Sequence, residues 1–244
     1  MSDFATQNTA PPPLLSIRNV SNAYISRSYG LFGKKEVKTV LDRVNLLMQN
    51  GEILGLTGES GCGKTTLARC ILGLIDYEGE ILINGQKQNQ IQHLPPAQQV
   101  QMVFQDPGDS LNPAKKTGWL IEEPLVIHKI GTPKERTQKL DEILLRVGLD
   151  PSYKTRRVTE LSGGQKQRVC IGRALILEPK LLIADEAISS LDVSVGAQIL
   201  NLFLELHESL KLGILFISHN TDAVQYLCRR IAVMKAGKID TINS

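Results

Sequence analysis

The stretch that decides the fold of this chain is Gly58-Glu59-Ser60-Gly61-Cys62-Gly63-Lys64-Thr65-Thr66. It fits the pattern G-x-x-x-x-G-K-[ST], whose fixed positions are Gly58, Gly63, Lys64 and Thr65. Glycines let the backbone wrap closely around a phosphate and adopt positive φ, so that successive backbone N–H groups face the anion. The pattern predicts that residues 58–66 form a phosphate-binding loop. Lys64 is expected to reach the β- and γ-phosphates, and the Thr65 hydroxyl to bind Mg²⁺.

The sequence on either side of this loop has the required context. Residues 52–57 form a short apolar run of the kind expected for a buried strand. Residues 65–74 then place apolar side chains at helical spacing, namely Leu67, Cys70, Ile71 and Leu74. A strand, a glycine-rich loop and a helix in this order predict a nucleotide-binding α/β core.

Length and composition are those of a soluble globular protein. The 244 residues are 42% hydrophobic and 22% charged, and the net charge of +3 is too small to indicate nucleic-acid binding. The cysteines show no C-x-x-C pair, so neither a zinc site nor a disulfide framework is predicted. No run approaches the ~18 apolar residues of a membrane span, and the N-terminus does not resemble a secretory signal. A membrane role would therefore depend on a partner.

Turn and periodicity signals divide the chain into one domain with a short lead-in. Residues 1–13 end in three prolines and are expected to be disordered or extended, and residues 14–244 to form a single domain. Strands are expected over 14–20, 39–49 and 79–85, with Asn50-Gly51 as the turn before the phosphate loop, and residues 29–36 as a loop or hairpin tip. The predicted fold is α/β: a mostly parallel phosphate-loop core beside an antiparallel β subdomain.

The region from about 107 to 165 has a different, helical character. Thr132 and Glu135 form a capping box with Pro133 at the first helical position, and Gly148 ends the helix. We expect a helical insertion of two or three helices here. Beyond it, residues 192–212 predict a long amphipathic helix, residues 214–218 a buried strand, and residues 231–239 a closing hairpin.

Polar residues of hydrolytic type follow three further apolar runs: Gln105, the pair Asp185-Glu186, and His219. In α/β sheets, ligands bind beyond the carboxyl ends of the strands, so these residues should meet the phosphate loop at one site. Asp185 is predicted to hold Mg²⁺ with Thr65, and Gln105 to bridge Mg²⁺ and the attacking water. Glu186 is the predicted base that polarises this water, and His219 is expected to contact and orient the γ-phosphate.

Each of these residues, taken singly, has a plainer alternative. A glutamine after a strand is usually a loop residue, a lone histidine is usually structural, and an Asp-Glu pair often lies in a surface turn. Their occurrence in this order with the phosphate loop is what favours a hydrolytic site.

The decisive stretch for the family is Leu161-Ser162-Gly163-Gly164-Gln165. It is an unbroken copy of the signature of the ATP-binding-cassette (ABC) ATPases, which the chain resembles from about Leu14 onward. The resemblance implies ATP and Mg²⁺ as cofactors and a head-to-tail dimer, in which the signature of one cassette grips the ATP held by the phosphate loop of the other. The glycines are expected to precede a helix whose N-terminus favours anions.

The resemblance also implies roles for residues outside the loop and the signature. Tyr24 is the candidate for stacking on adenine, with Tyr29 as the weaker rival. Ser190, Leu191 and Asp192 match the loop that communicates across the dimer. The helical insertion matches the subdomain that contacts the membrane permease.

Within this family the chain looks most similar to bacterial peptide/nickel importers, through residues 58–64, 101–107, 110–113, 123–125 and 185–190. The departures are Asn220, where Asp is usual, and Ser190, where Ala is common; neither bears on hydrolysis. The short C-terminal part favours a nickel or metal-chelate transporter. The implied partners are a second ATPase subunit in a heterodimer, two permease subunits and an extracytoplasmic solute-binding protein, with no nucleic acid. The implied location is peripheral, at the cytoplasmic face of the inner membrane.

Two other classes compete with the transporter hypothesis. A soluble ABC-type ATPase acting on nucleic acid or ribosomes is disfavoured because only 55 residues separate Gln105 from Leu161, too few for the long coiled coils of repair members, and because there is one signature. A GTPase or small-molecule kinase shares the phosphate loop but has no use for the signature. The transported solute, whether peptide, nickel or metal chelate, stays open.

Overall fold

A computed structural model describes residues 11–27, 35–88 and 99–243 of the protein. The described strands are β1 (Leu15–Arg27), β2 (Lys35–Met48), β3 (Ile53–Gly58), β4 (Glu78–Ile83), β5 (Gln86–Lys87), β6 (Val100–Val103), β7 (Leu181–Asp185), β8 (Gly213–Ile217), β9 (Arg230–Lys235) and β10 (Lys238–Asn243). The described α-helices are α1 (Lys64–Ile71), α2 (Pro107–Ser110), α3 (Thr117–Ile127), α4 (Pro133–Arg146), α5 (Gly163–Leu175), α6 (Val193–Leu210) and α7 (Thr221–Leu227).

The front of the chain forms an antiparallel sheet in the order β2-β1-β4-β5, as predicted. The expected turn at Asn50-Gly51 is present, and the strands that it connects, β2 and β3, belong to different sheets. Gly51 adopts a φ of 59°, so the two residues do form a tight turn, but that turn passes the chain from one sheet to the other. An Asn-Gly pair supplies the backbone conformation of a turn without ensuring that the flanking strands pair.

The second sheet carries the strands that lead to the predicted site. Its order is β10-β9-β3-β8-β7-β6, with parallel pairing from β9 to β6 and an antiparallel β10 at one edge. Side chains alternate between its two faces. Leu182 and Ile214 join a core with α5 and α6, whereas Leu181 and Leu215 join a core with α1 and the antiparallel sheet. Burial on both faces explains the continuous apolar runs of these strands.

The helical insertion packs on α5, which in turn lies against β6 of the second sheet. Thr132 and Glu135 make the capping box predicted for α4, and Leu140, Ile143 and Leu144 are buried on its inner face. Helix α3 packs on α4 and α5, and two short 3₁₀ turns (Pro151–Thr155 and Val158–Glu160) lead from α4 to α5. Within the described part of the chain, no helix has the length and apolar character needed to cross a membrane.

Some predicted boundaries are wrong in detail. Helix α1 ends at Ile71 rather than Leu74, because Gly73 takes a left-handed φ of 70°, and this leaves Leu74 exposed. Strand β6 ends at Val103, whereas the strand was expected to end at Gln105. Strand β9 pairs in parallel with β3 as well as forming the predicted closing hairpin. Two expectations concern residues outside the described ranges: the extended lead-in over residues 1–10, and the loop or hairpin tip over residues 28–34, which includes Tyr29.

Candidate active site

The phosphate loop lies between β3 and α1, and close backbone packing fixes its shape. A Cβ on Gly58 would lie 2.1 Å from the carbonyl oxygen of Met234 on β9, at a φ of 150°. Gly63 is the N-cap of α1 with a φ of 113°, a conformation that residues with a side chain rarely adopt. These two positions require glycine, and they direct the loop toward the N-terminus of α1.

Lys64 is held inside the loop that precedes it. Its side chain is buried, and its ammonium group donates hydrogen bonds to the carbonyl oxygens of Gly58 at 2.8 Å and Glu59 at 3.0 Å. Cys62 belongs to the hydrophobic core, and its carbonyl oxygen accepts a hydrogen bond from Gly237. The loop therefore offers its backbone and Lys64 to an anion, whereas the Cys62 side chain supports it from beneath.

Thr65 and Asp185 meet although they are 120 residues apart in sequence. The Thr65 hydroxyl donates to Oδ2 of Asp185 at 2.9 Å, whereas the buried Oδ1 has no hydrogen-bond partner. Burial, and then the nearby charge of Glu186, raise the pKa of the Asp185 carboxyl above its usual value. A buried carboxylate oxygen without a partner beside a hydroxyl fits the oxygen ligands of Mg²⁺, so these residues suit the metal expected from the sequence.

Glu186 follows directly in an unusual backbone conformation. Its φ is 52°, the left-handed region that non-glycine residues seldom occupy, and its N–H donates to the carbonyl of Ile217 on β8. Oε1 accepts hydrogen bonds from the backbone N–H of His219 at 3.2 Å and contacts His219 Nδ1 at 2.8 Å. Oε2 is buried and has no hydrogen-bond partner. One carboxylate oxygen is therefore held in place and the other is available.

These groups line one cleft of about 460 Å³ at the carboxyl ends of the strands. The structure brings together every residue of the 58–66 loop except Cys62, and adds Gln105, Asp185, Glu186 and His219. Gln105 is exposed in the segment between β6 and α2. His219 contacts the Glu186 carboxylate, a partner that the sequence did not suggest.

The Leu161–Gln165 stretch lies outside this cleft. Ser162 caps α5 and forms a capping box with Gln165, so Gly163 and Gly164 occupy the first turn instead of preceding the helix. A Cβ on Gly164 would lie 2.5 Å from Cγ1 of Val195 on α6, so this glycine permits close helix packing. Leu161 is buried beside this turn.

The remaining predicted residues also lie apart from the cleft lining. Tyr24 is 44% exposed on β1, opposite Lys38 of β2. Asp192 caps α6 by accepting from the N–H of Val195 at 2.9 Å, and Ser190 is exposed just before it. Leu191 is half-buried and lies against the first turn of α5.

Gln165 makes a further contact that no sequence pattern indicated. Its side-chain amide donates to the Tyr153 hydroxyl at 3.0 Å, and the Arg156 guanidinium lies over the Tyr153 ring at 3.9 Å from its centre. A tyrosine in a 3₁₀ turn has no characteristic spacing from Gln165, so only the folded structure shows the pair.

Comparison with known proteins identifies the family. A family model described as "ABC transporter" matches residues 41–189, well over half of the chain. The chain belongs to the ABC transporter family. Its α/β fold with two sheets is that of an ABC ATPase, as predicted.

Sequence relatives of this ABC ATPase are named as ATP-binding proteins of transport and import systems. It is 45% identical over 233 residues to the oligopeptide transport ATP-binding protein AppF of Bacillus subtilis, covering 93% of this chain and 70% of that protein. It is 42% identical over 248 residues to the glutathione import ATP-binding protein GsiA of Pectobacterium atrosepticum. That match covers 97% of this chain but 39% of GsiA, so the chain spans well under half of that relative.

Solved structures share the complete fold. The dimeric ATP-binding cassette MJ0796, in a post-hydrolysis state with ADP and phosphate, superposes with a TM-score of 0.80 at 27% identity, covering 94% of this chain and 98% of that one. CbiO1 of Clostridium perfringens, part of an ABC transporter complex, gives a TM-score of 0.82 at 27% identity, covering 95% and 88% of the two chains. Both superpositions cover at least 94% of this chain, so the shared fold extends across almost all of it.

Proposed function

We propose that this chain is the ATP-hydrolysing subunit of a bacterial ABC importer of the dipeptide, oligopeptide or nickel type. Support comes from relatives named as an oligopeptide transport and a glutathione import ATP-binding protein, and from the predicted hydrolytic residues gathered at one cleft. The relatives favour peptides as the transported class, whereas nickel rests only on the sequence resemblance. Residues 14–244 act as one nucleotide-binding domain, with residues 107–165 as its helical subdomain.

The assembly we propose contains membrane and soluble partners. A second cassette, two permease subunits and an extracytoplasmic solute-binding protein complete the importer, and the chain sits at the cytoplasmic face of the inner membrane through the permease. No nucleic acid takes part. The dimeric MJ0796 cassette supports the pairing of two cassettes. Tyr24 stacks on adenine, and the loop of Ser190, Leu191 and Asp192 meets the second cassette.

The chemistry follows from the atoms that are free in the cleft. The loop N–H groups and the Lys64 ammonium bind the β- and γ-phosphates, and the N-terminus of α1 adds its positive dipole end. Thr65 Oγ1 and the unpartnered Oδ1 of Asp185 would hold Mg²⁺ together with Gln105. Mg²⁺ supplies neutralisation of the charge that develops on the phosphates.

Glu186 is the base in this scheme. Its Oε2 is the carboxylate oxygen without a partner, so it accepts the proton of the attacking water. His219 holds the other oxygen through its backbone N–H and Nδ1, which fixes the direction of Oε2. The exposed remainder of the imidazole faces the cleft, where it contacts the γ-phosphate.

The observation that carries the proposal is the separation of the two nucleotide-gripping elements. The phosphate loop and its carboxylates line one cleft, whereas residues 161–165 lie outside it. One chain therefore holds half of the site, and a second cassette must supply the signature. ATP turnover per chain should rise with cassette concentration and reach a plateau, whereas ATP binding should not depend on concentration.

The test of the transport role uses the chain assembled with its permease subunits in proteoliposomes. Solute-binding protein loaded with oligopeptide should stimulate ATP hydrolysis and solute uptake, and a parallel sample with Ni²⁺ separates the two cargo classes. Turnover that is independent of concentration would contradict the shared site. Stimulation by RNA or ribosomes, without binding to the permease, would favour the soluble class of ABC ATPase.

A further inference from the structure

The side chain of Gln165 joins the signature turn to the helical insertion. Its Oε1 accepts a hydrogen bond from the backbone N–H of Ser162 at 3.0 Å, and the Ser162 hydroxyl accepts from the N–H of Gln165 at 3.3 Å. The amide Nε2 donates in the opposite direction, to the Tyr153 hydroxyl at 3.0 Å. The Ser162 N–H fixes which way the Gln165 amide is turned, because only the carbonyl oxygen can accept from it, and the Tyr153 hydroxyl then holds the opposite end of the amide.

Tyr153 is itself held on several sides. Arg156 stacks on its ring at 3.9 Å, and the Arg156 N–H donates to the Tyr153 carbonyl at 3.0 Å. The carbonyl of Arg156 accepts from both the N–H and the hydroxyl of Thr117, at 2.9 and 3.1 Å. Thr117 is fully buried at the start of α3, so the hydrogen bonds that hold Arg156 come from a buried residue.

The neighbouring residue attaches the same 3₁₀ turn to α4. Lys154 pairs with Asp141 at 2.8 Å, and it packs so closely on Gly118 that a Cβ there would lie 2.9 Å from the Lys154 Cβ and 3.0 Å from its carbonyl oxygen. The turn Pro151–Thr155 is therefore attached to both α3 and α4. The Tyr153 side chain extends from this turn to Gln165 of the signature.

We propose that Tyr153 is a positioning residue for ATP hydrolysis, which holds the first turn of α5 in the orientation needed to grip the nucleotide of the partner cassette. The inference rests on the proposed function, because the signature acts in trans only if two cassettes pair. Tyr153 is not among the described residues that line the chain's own nucleotide cleft, so its effect should be confined to the partner-facing site.

The experiment compares Tyr153→Phe with the matched control Tyr226→Phe. Both changes remove one hydroxyl; that of Tyr226 donates to Asn201 between α6 and α7, away from the signature. Hydrogen exchange of the Ser162 amide should become about three- to tenfold faster in Tyr153→Phe, the effect of losing one neutral hydrogen bond. The Thr132 amide, bonded to Glu135 in the capping box of α4, is the internal reference and should not change.

Function is measured on the same variants. Turnover of the assembled cassettes at saturating ATP should fall about three- to tenfold in Tyr153→Phe. ATP-dependent thermal stabilisation of the dilute chain should stay at the wild-type value, because the cleft is intact. A loss of stabilisation would indicate general damage and overturn the positioning role.

The outcomes distinguish a failure of the Tyr153 role from a failure of the proposed function. Unchanged Ser162 exchange overturns the structural role of Tyr153, whether or not the protein is an importer. Faster exchange with unchanged turnover overturns its role in hydrolysis. If the wild-type protein itself shows no dependence of turnover on a second cassette, the proposed function fails, and with it the role of Tyr153 in trans.

Discussion

Replacement of Glu186 by glutamine tests the assignment of the hydrolytic base. Glutamine has the same shape, and its carbonyl oxygen can accept the hydrogen bonds that Oε1 now receives from His219. The amide group would then occupy the position of Oε2, where it cannot accept a proton. The substitution therefore removes the proposed proton acceptor and leaves the orientation of the side chain intact.

The magnitude follows from the role of the unpartnered oxygen. A positioned general base contributes about 10²- to 10⁴-fold, so turnover should fall by about 10²-fold or more. A 10²-fold loss corresponds to about 2.7 kcal/mol of activation free energy, since each factor of ten is ~1.36 kcal/mol. ATP binding should be retained, because the Lys64 and Thr65 contacts are untouched and a negative charge near the phosphates is removed.

The assay measures phosphate release and ATP-dependent association on the same preparation. Glu186→Gln should associate on ATP addition and remain associated, since the bound nucleotide is not consumed. The matched control is Glu205→Gln, the same change at an exposed position of α6, which should hydrolyse ATP like the wild type. Turnover of Glu186→Gln within a factor of three of the control would refute the base assignment.

Two further predictions concern the other charged groups of the cleft. Lys64→Ala should remove ATP-dependent thermal stabilisation, which in the wild type is worth about 2.7 kcal/mol at an ATP concentration 100 times Kd; an unchanged melting shift would contradict the role of Lys64. Burial raises the pKa of Asp185, so the folded state keeps this proton to higher pH and loses stability as pH rises from the unfolded to the folded pKa. Without nucleotide and Mg²⁺, Asp185→Asn should therefore melt higher than the wild type at pH 7. This gain should shrink as the pH falls toward the ordinary carboxyl range, and an equal or lower melting temperature at pH 7 would contradict it.

The residues of the cleft were predictable because each follows a feature that sequence displays. Residues 58–66 show a fixed spacing, and Asp185, Glu186 and His219 each come just after a short run of buried residues. Parallel strands place such positions at one edge of a sheet, so the sequence alone predicts that these residues meet at one site. The capping box at Thr132 is similarly local, and the structure confirms it.

The pairing of strands was less predictable because it depends on distant partners. Nothing in residues 230–235 shows that this strand lies beside β3, since an apolar strand fits a hairpin and a parallel sheet equally well. Asn50-Gly51 has the composition of a hairpin turn, yet the strands on either side are buried in different sheets. Hydrophobic pattern and turn chemistry determine that strands occur, whereas packing determines which of them pair.

The geometry of the single chain supports the proposal that one cassette alone does not hydrolyse ATP. Glu186 lines the cleft and its Oε2 has no hydrogen-bond partner, and Lys64 and Thr65 line the same cleft, so one chain gathers the predicted hydrolytic residues. The element that we propose a second cassette supplies is an anion-binding helix N-terminus on the open side of the cleft. The first turn of α5 has the glycines and the cap for that task, but it faces a different surface. In the proposed scheme, hydrolysis therefore requires two chains to bring complementary surfaces together, which would link ATP consumption to assembly.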